Sequence, residues 1–131
     1  MYEKKMDEDL HCGLRVAFKI FGGKWKMCIL DAINKGATRP AEIQKVIGIA
    51  SIRVIEIQLA ELLAYGVTEK TGGNYYPKKS EYRITSFGYT ILPLLYQIDK
   101  WGTTHGAFVR ERQSELNQQE VMLQENASTN A

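Results

Sequence analysis

Thiol and imidazole side chains are the usual nucleophiles, bases and metal ligands of proteins, and this chain of 131 residues has two of each. They are Cys12, Cys28, His11 and His105. No pair among them has a spacing typical of zinc sites, such as Cys-x-x-Cys. The pattern therefore predicts no metal site, and in a reducing compartment we expect both cysteines to remain thiols.

The sequence also lacks the common catalytic and phosphate-binding patterns. The two histidines stand near the ends of the chain, and no Ser–His–Asp arrangement can be assigned around them. The run Gly22-Gly23-Lys24 does not fit the GxxxxGK[ST] frame of a phosphate-binding loop. The sequence therefore predicts a protein that is not an enzyme and that holds no cofactor.

The basic side chains indicate a different chemistry, which is the attraction of polyanions. Residues 10–105 contain 13 Lys/Arg and 7 Asp/Glu, whereas residues 1–9 and 106–131 each carry a net charge of −2. A positively charged body raises the local concentration of polyanions, and nucleic acid is the commonest polyanion in the cytosol. The charge distribution favours nucleic-acid binding, although many domains with this net charge bind no nucleic acid.

Length and composition indicate one globular domain over residues 1–131. The hydrophobic share of 44% and the charged share of 24% are close to the globular average. No apolar run approaches the roughly 20 residues that cross a bilayer. The N-terminal segment is acidic and has no apolar signal core, so we expect a cytoplasmic protein that does not contact a membrane.

Hydrophobic spacing predicts four helices in the first half of the chain. They cover about residues 12–21, about residues 25–35, a segment capped by Thr38, and a segment capped by Ser51 that ends at Tyr65. The residues expected to face the core are Leu14, Ala17, Phe18 and Phe21 in the first helix; Trp25, Cys28, Ile29, Ala32 and Ile33 in the second; Ile43, Val46 and Ile47 in the third; and Ile52, Ile55, Leu59, Leu62 and Leu63 in the fourth.

The second half of the chain begins with a pattern typical of two short strands. Residues 67–71 and 81–84 alternate in polarity, and the loop between them, GGNYYPKKS, carries two lysines. A helix capped by Thr85 follows over about residues 85–102, and we expect Pro93 to bend it. A last helical segment covers about residues 106–125 and spaces its apolar residues seven apart, and we expect the polar tail after it to be disordered.

This order of elements predicts a mainly α protein with a small β-hairpin, which is the order of a winged helix-turn-helix. A helix fits the major groove of DNA, and a hairpin with lysines can reach the flanking phosphates. In the fourth helix the apolar stripe leaves one side directed outward, and we expect this side to meet the bases. It is formed by Ser51, Arg53, Glu56, Ile57 and Ala60.

Three segments of the sequence resemble HxlR-type regulators, which are related to MarR-type regulators within the winged-helix group. These segments are CGLRVAFKIFGGKWKMCIL, TRPAEIQKVIGIASIRVIEIQLAELLAYGVTEK and PKKSEYRITSFGYTILPLLYQIDKWGTTH, and the resemblance covers about residues 12–105. It implies a bacterial transcription regulator that binds double-stranded DNA as a homodimer, with additional N- and C-terminal helices forming the dimer. Taken together, the outward side of the fourth helix, the basic hairpin and the resemblance predict contact with DNA for a set of nine residues, which are Arg39, Ser51, Ile52, Arg53, Glu56, Ile57, Lys78, Lys79 and Arg83.

Three positions depart from the family pattern. Pro40 replaces a usual aromatic residue, Glu56 stands where threonine is common, and Ala60 stands where arginine is common. The last two changes lower the affinity expected for phosphate, while Glu56 could instead accept a hydrogen bond from a cytosine amino group. The two substitutions are therefore compatible with two alternatives, an altered base specificity and a weakened binding to DNA.

Cys12 has a position that suggests regulation. It begins a predicted helix, where backbone amides stabilise a thiolate, and Arg15 lies one turn further on. The resemblance places it where some relatives carry a cysteine that senses quinones, aldehydes or oxidants. The alternative is that Cys12 is a structural or silent residue.

The sequence as a whole predicts a homodimeric DNA-binding transcription regulator that acts on a palindromic operator, with a repressor as the preferred interpretation and an activator as the alternative. A small-molecule or oxidant inducer is compatible with this interpretation. The alternative is a winged-helix module that binds other proteins and has weakened or lost DNA binding.

Overall fold

The computed structural model describes residues 10–72 and 80–129. The chain divides into two compact units, of which the first ends at Leu95 and the second begins at Tyr96. The elements are α1 (Gly13–Phe21), α2 (Lys26–Asn34), α3 (Pro40–Ile47), α4 (Ile52–Ala64), β1 (Thr68–Thr71), β2 (Glu81–Ile84), α5 (Ser86–Tyr89) and α6 (Leu92–Thr129). The predicted fold class is therefore confirmed: the described residues are mainly helical, with one two-stranded antiparallel sheet.

The core of the first unit lies between α2, α3, α4 and the small sheet. In α4 the buried side chains are Ile55, Leu59 and Leu62, which recur at the i, i+4, i+7 spacing of one helical face. Each is fully buried, and burial of such a side chain stabilises the fold by about 1.5–3 kcal/mol. Ile29, Leu30 and Ile43 complete the centre of this core, so α4 is held rigidly by its inner face.

The connection between α3 and α4 is a short turn with a cap at each end. Gly48 ends α3 with a φ of 88°, a conformation that a residue with a Cβ rarely adopts. Ser51 precedes α4, and its Oγ accepts a hydrogen bond from the backbone N–H of Val54 at 3.2 Å. The predicted cap at Ser51 is confirmed, and it fixes where α4 begins.

The predicted cap at Thr38 is wrong. The residue before α3 is Arg39, whose backbone N–H donates to the Glu42 carboxylate at 3.1 Å. The carbonyl of Thr38 instead accepts from the backbone N–H of Tyr82 at 2.8 Å. Thr38 is therefore used to join the start of α3 to strand β2, a long-range contact that local capping rules do not anticipate.

The two strands pair in register from Thr68 opposite Ile84 to Thr71 opposite Glu81. Thr85 follows β2 and caps α5, because its Oγ1 accepts from the backbone N–H of Gly88 at 3.0 Å. Gly88 packs directly on the chain before β1: a Cβ at this position would lie 2.2 Å from the carbonyl oxygen of Val67. The base of the hairpin is thus held against α5 by close backbone packing.

The prediction of a helix over residues 85–102 that bends at Pro93, followed by a separate helix over residues 106–125, is wrong. A short α5 ends at Tyr89, and a single helix of 38 residues then covers Leu92–Thr129. Pro93 is the second residue of α6, in the first turn, where no intrahelical N–H donor is needed. The proline therefore marks the start of α6, and the tail expected to be disordered is helical as far as Thr129.

Several residues predicted for the core are exposed. Val46 and Ile52 are open to solvent, as are Leu14 and Phe18 on α1, a helix with no buried residue. Cys28 is also exposed, so the prediction that it is a buried thiol is wrong. The buried arc of α2 is formed by Lys26, Ile29, Leu30, Ala32 and Ile33, and Cys28 lies outside this arc.

Candidate nucleic-acid interface

The outward side of α4 is formed by four residues at helical spacing: Arg53, Glu56, Ile57 and Ala60. All four are exposed, as predicted, and the buried side chains of α4 lie on the opposite face. Because the inner face is fixed in the core, the outward face has a defined orientation. It is a rigid surface of the width that a major groove accepts.

The charged side chains on this surface are available to a ligand. Within residues 10–72 and 80–129, neither the Arg53 guanidinium nor the Glu56 carboxylate has a hydrogen bond or an ion pair. Arg53 can therefore meet phosphate or a guanine edge without breaking an internal contact. Glu56 can only accept hydrogen bonds as a carboxylate, so it suits an amino group and repels phosphate.

Ser51 and Ile52 lie at the N-terminal end of α4. The Ser51 hydroxyl oxygen is engaged as the helix cap, and Ile52 is the first helical residue, with about a third of its surface exposed. Ile52 therefore belongs to the rim of the outward surface and not to the buried stripe. The first amides of a helix favour negative charge, which makes this end of α4 suitable for a phosphate.

Two further arginines predicted to contact DNA are held by surface ion pairs. Nη2 of Arg39 lies 3.3 Å from Oε1 of Glu81, and Nη2 of Arg83 lies 3.3 Å from Oε1 of Glu69. All four side chains are about half exposed, and such pairs contribute about 0–1 kcal/mol. A phosphate group can therefore replace either carboxylate at little cost.

The tip of the hairpin completes the set of predicted residues. Lys78 and Lys79 lie outside the described residues, and their part in the interface stays a prediction. Arg83 and Glu69 face each other across the strand pair that leads to this tip.

Contacts that tie α4 to the start of α2 were not anticipated from the sequence. Nζ of Lys26 lies 2.5 Å from Oε2 of Glu61, and the backbone N–H of Trp25 donates to Oε1 of Gln58 at 3.2 Å. Lys26 is only 6% exposed. The helical spacing could have predicted this burial, because Lys26 is one turn before Ile29 and Leu30 on the same buried arc of α2.

Cys12 is the residue that precedes α1, and it is half-buried. Its backbone carbonyl accepts the first helical hydrogen bond, from the N–H of Val16 at 3.0 Å. The predicted position at a helix start is therefore confirmed, while the sensing role stays a prediction. In the part of the chain that the structure describes, no helix is both long enough and apolar enough to span a membrane.

Comparison with known proteins shows the family to which this fold belongs. The model of the HxlR-like helix-turn-helix family matches residues 20–110. The uncharacterized HTH-type transcriptional regulator YkvN of Bacillus subtilis is 32% identical over 91 residues, which cover 70% of this chain and 77% of the relative. An uncharacterized HTH-type transcriptional regulator of Methanothermobacter thermautotrophicus is 30% identical over 101 residues, which cover 77% of each chain.

Solved structures of similar fold include the redox regulator HypR. Its reduced form superposes with a TM-score of 0.66 at 29% identity, covering 72% of this chain and 93% of that chain. Its oxidized form superposes with a TM-score of 0.65 at 30% identity, and the match covers 71% of this chain and 96% of that chain. The chain therefore belongs to the HxlR-like helix-turn-helix family, and it is a winged helix-turn-helix transcriptional regulator and not an enzyme.

Proposed function

We propose that this regulator binds a palindromic DNA operator as a homodimer and represses transcription from it in the cytoplasm. The observation that carries the proposal is the outward face of α4, which is rigidly held and exposed, and whose Arg53 has no ion pair within residues 10–72 and 80–129. Two such helices in a two-fold dimer would enter successive major grooves about 34 Å apart. Polymerase would then be excluded from the covered promoter.

Each predicted contact residue has a role in this arrangement. Arg53, Glu56 and Ile57 face the bases from the first two turns of α4, while Ser51 and Ile52 bring the helix start to a phosphate. The residues that would neutralise flanking phosphates are Arg39, Lys78, Lys79 and Arg83. Their contribution would be largely independent of base sequence and would weaken as salt rises.

Exposed apolar surface supports the homodimer. In the first unit, Leu14 of α1 is 75% exposed and Phe18 is 71% exposed. In the second unit, α6 carries its own exposed apolar residues, which include Trp101, Phe108, Val109, Leu116 and Leu123. Soluble monomers seldom expose so many large apolar side chains on neighbouring turns. A second copy of the chain would cover both helices.

The domain organisation follows from the same proposal. Residues from about 12 to 105 would form the winged helix-turn-helix domain with its dimer helices. The part of α6 over about residues 106–125 would extend the dimer contact beyond that core.

Cys12 would connect the regulator to an oxidant or electrophile. It immediately precedes α1, a helix whose apolar face would lie in the dimer. Two structures similar to this one are the reduced and oxidized forms of a redox regulator. Modification of Cys12 would shift α1 and thereby change the distance between the two α4 helices.

A mobility-shift assay with the DNA upstream of the protein's own gene tests the proposal. The expected result is a discrete complex whose affinity falls steeply with salt, together with a dimer mass by light scattering at micromolar protein. A salt-independent or absent shift would favour the alternative, a winged-helix module that binds other proteins. The features that favour this alternative are Glu56 and Ala60, which reduce the positive charge of α4.

A further inference from the structure

The outward face of α4 has an unusual chemical character for a surface that meets DNA. Of its four helical residues, Arg53 donates hydrogen bonds, Glu56 accepts them, and Ile57 and Ala60 are apolar. Ile57 is 50% exposed although it is a large aliphatic residue in the middle of this face. The face therefore offers one cation, one anion and an apolar strip to the base edges.

We infer that α4 reads a half-site in which a thymine methyl group lies against Ile57 and a cytosine amino group lies against Glu56. This inference rests on the proposed function, that α4 enters the major groove of duplex DNA. In that groove, thymine is the base that presents an apolar methyl group, and cytosine presents an amino donor.

The carboxylate of Glu56 also rejects other bases. Guanine presents two acceptors and thymine presents the O4 acceptor in the major groove, and both repel a carboxylate. Adenine places its N7 acceptor beside its amino donor, whereas the neighbour of the cytosine amino group is a C–H. Among the four bases, cytosine therefore fits Glu56 best.

Ile57 has the position needed for the methyl contact. It is the sixth residue of α4, one turn after Arg53 and adjacent to Glu56, within the N-terminal part that reaches base edges in helix-turn-helix proteins. Its exposed half has no role in the core, because the core face of α4 is formed by Ile55, Leu59 and Leu62. Docking on a thymine methyl group would remove this apolar surface from water.

The experiment begins with selection of duplexes from a randomised DNA pool by the full-length protein. In the selected operator, each thymine is then replaced singly by deoxyuridine, which removes only the C5 methyl group. Affinities are measured for the parent, for Ile57→Ala and for Ile49→Ala. Ile49 is a matched control because it is 82% exposed but lies in the turn before α4.

The expected result is one thymine per half-site at which deoxyuridine lowers the parent's affinity about fourfold, the effect of one buried methyl group. Ile57→Ala should bind the thymine and deoxyuridine operators equally, while Ile49→Ala should keep the difference. Replacing the cytosine opposite Glu56 should lower affinity by about 5- to 150-fold. Glu56→Gln, which can also donate, should tolerate adenine at that position.

Two other outcomes have distinct meanings. A selected operator that the parent binds equally with thymine or deoxyuridine at every position would overturn the base assignment and leave the proposed function intact. Failure to select any duplex from the pool would overturn both.

Discussion

The ion pair between Lys26 and Glu61 offers a sharp test, because its two partners differ strongly in burial. The Lys26 side chain is 8% exposed and the Glu61 side chain is 49% exposed. Removing Glu61 leaves a buried ammonium without its anion, whereas removing Lys26 leaves a carboxylate that water can reach. We therefore expect the two single substitutions to have unequal effects on the free energy of unfolding.

The burial values set the expected magnitudes. Breaking a fully buried pair by removing one partner costs about 3–5 kcal/mol, and breaking an exposed pair costs about 0–1 kcal/mol. Glu61→Ala leaves the buried Lys26 ammonium without its anion, but the pair that it breaks is partly exposed at Glu61. We therefore expect the free energy of unfolding to fall by about 2 kcal/mol, between the two limits. Lys26→Met keeps an unbranched apolar stem of similar length on the buried arc of α2, so we expect a change within about 0.5 kcal/mol.

Urea unfolding at one fixed protein concentration measures these values, because dimerisation makes apparent stability depend on concentration. With an m-value of about 2 kcal/mol/M, Glu61→Ala should lower the midpoint by about 1 M. The double variant should resemble Lys26→Met, since no buried cation then remains. Equal losses in the two single variants, or a larger loss in Lys26→Met, would refute the burial argument.

Arg53→Ala should lower operator affinity by about 1–3 kcal/mol in a mobility-shift titration, because the guanidinium, which the described part of the chain leaves unpaired, would make a bidentate contact. Thr68→Val should raise the free energy of unfolding by about 1 kcal/mol, because the buried Oγ1 has no hydrogen-bond partner among the described residues. Gly88→Ala should lower that free energy by about 1–3 kcal/mol, because the added Cβ would lie 2.2 Å from a backbone carbonyl oxygen. Treatment with diamide should release the parent from DNA through Cys12.

Each of these predictions has a matched control. Lys79→Ala should weaken binding to all duplexes alike and should reduce the slope of log affinity against log salt concentration by about 1. Identical behaviour of Arg53→Ala and Lys79→Ala would contradict the proposed docking of α4 on DNA. Thr71→Val and Ser86→Ala change exposed residues of β1 and α5 and should alter stability little. Cys12→Ser should keep DNA binding in diamide, and equal release of this variant would exclude sensing by Cys12.

The predictions that succeeded for the fold depend on local patterns. The spacing of Ile55, Leu59 and Leu62 predicts one buried face of α4. Ser51 caps this helix through a bond to its own first turn, which does not depend on the tertiary contacts of the helix. The outward face of α4 follows from the same periodicity, because the residues between the buried positions must point away from the core. The strand limits near residues 68 and 84 were visible for a similar reason, the alternation of polarity between turn residues.

The predictions that failed concern contacts between segments that are distant in sequence. Local capping rules assign Thr38 to α3, but its carbonyl is bonded to Tyr82 on β2. A cysteine near an apolar stripe looks buried, but only the packing of α2 against its neighbours decided that Cys28 lies outside the buried arc. The sequence analysis made no prediction for Lys26, a charged residue that is buried and whose anion is supplied by Glu61 of α4, 35 residues further along the chain.

By itself, the sequence determined that the chain is a winged helix-turn-helix regulator and which side of α4 faces outward. These properties depend on periodicity, caps and motif residues, which act over one or two helical turns. Only the tertiary structure decided that Arg39 and Arg83 are held in ion pairs while Arg53 has none among the described residues, and that one helix covers Leu92–Thr129. The physical reason is that burial and pairing of a charge depend on groups brought close by folding, and their positions along the chain carry no local signal of that proximity.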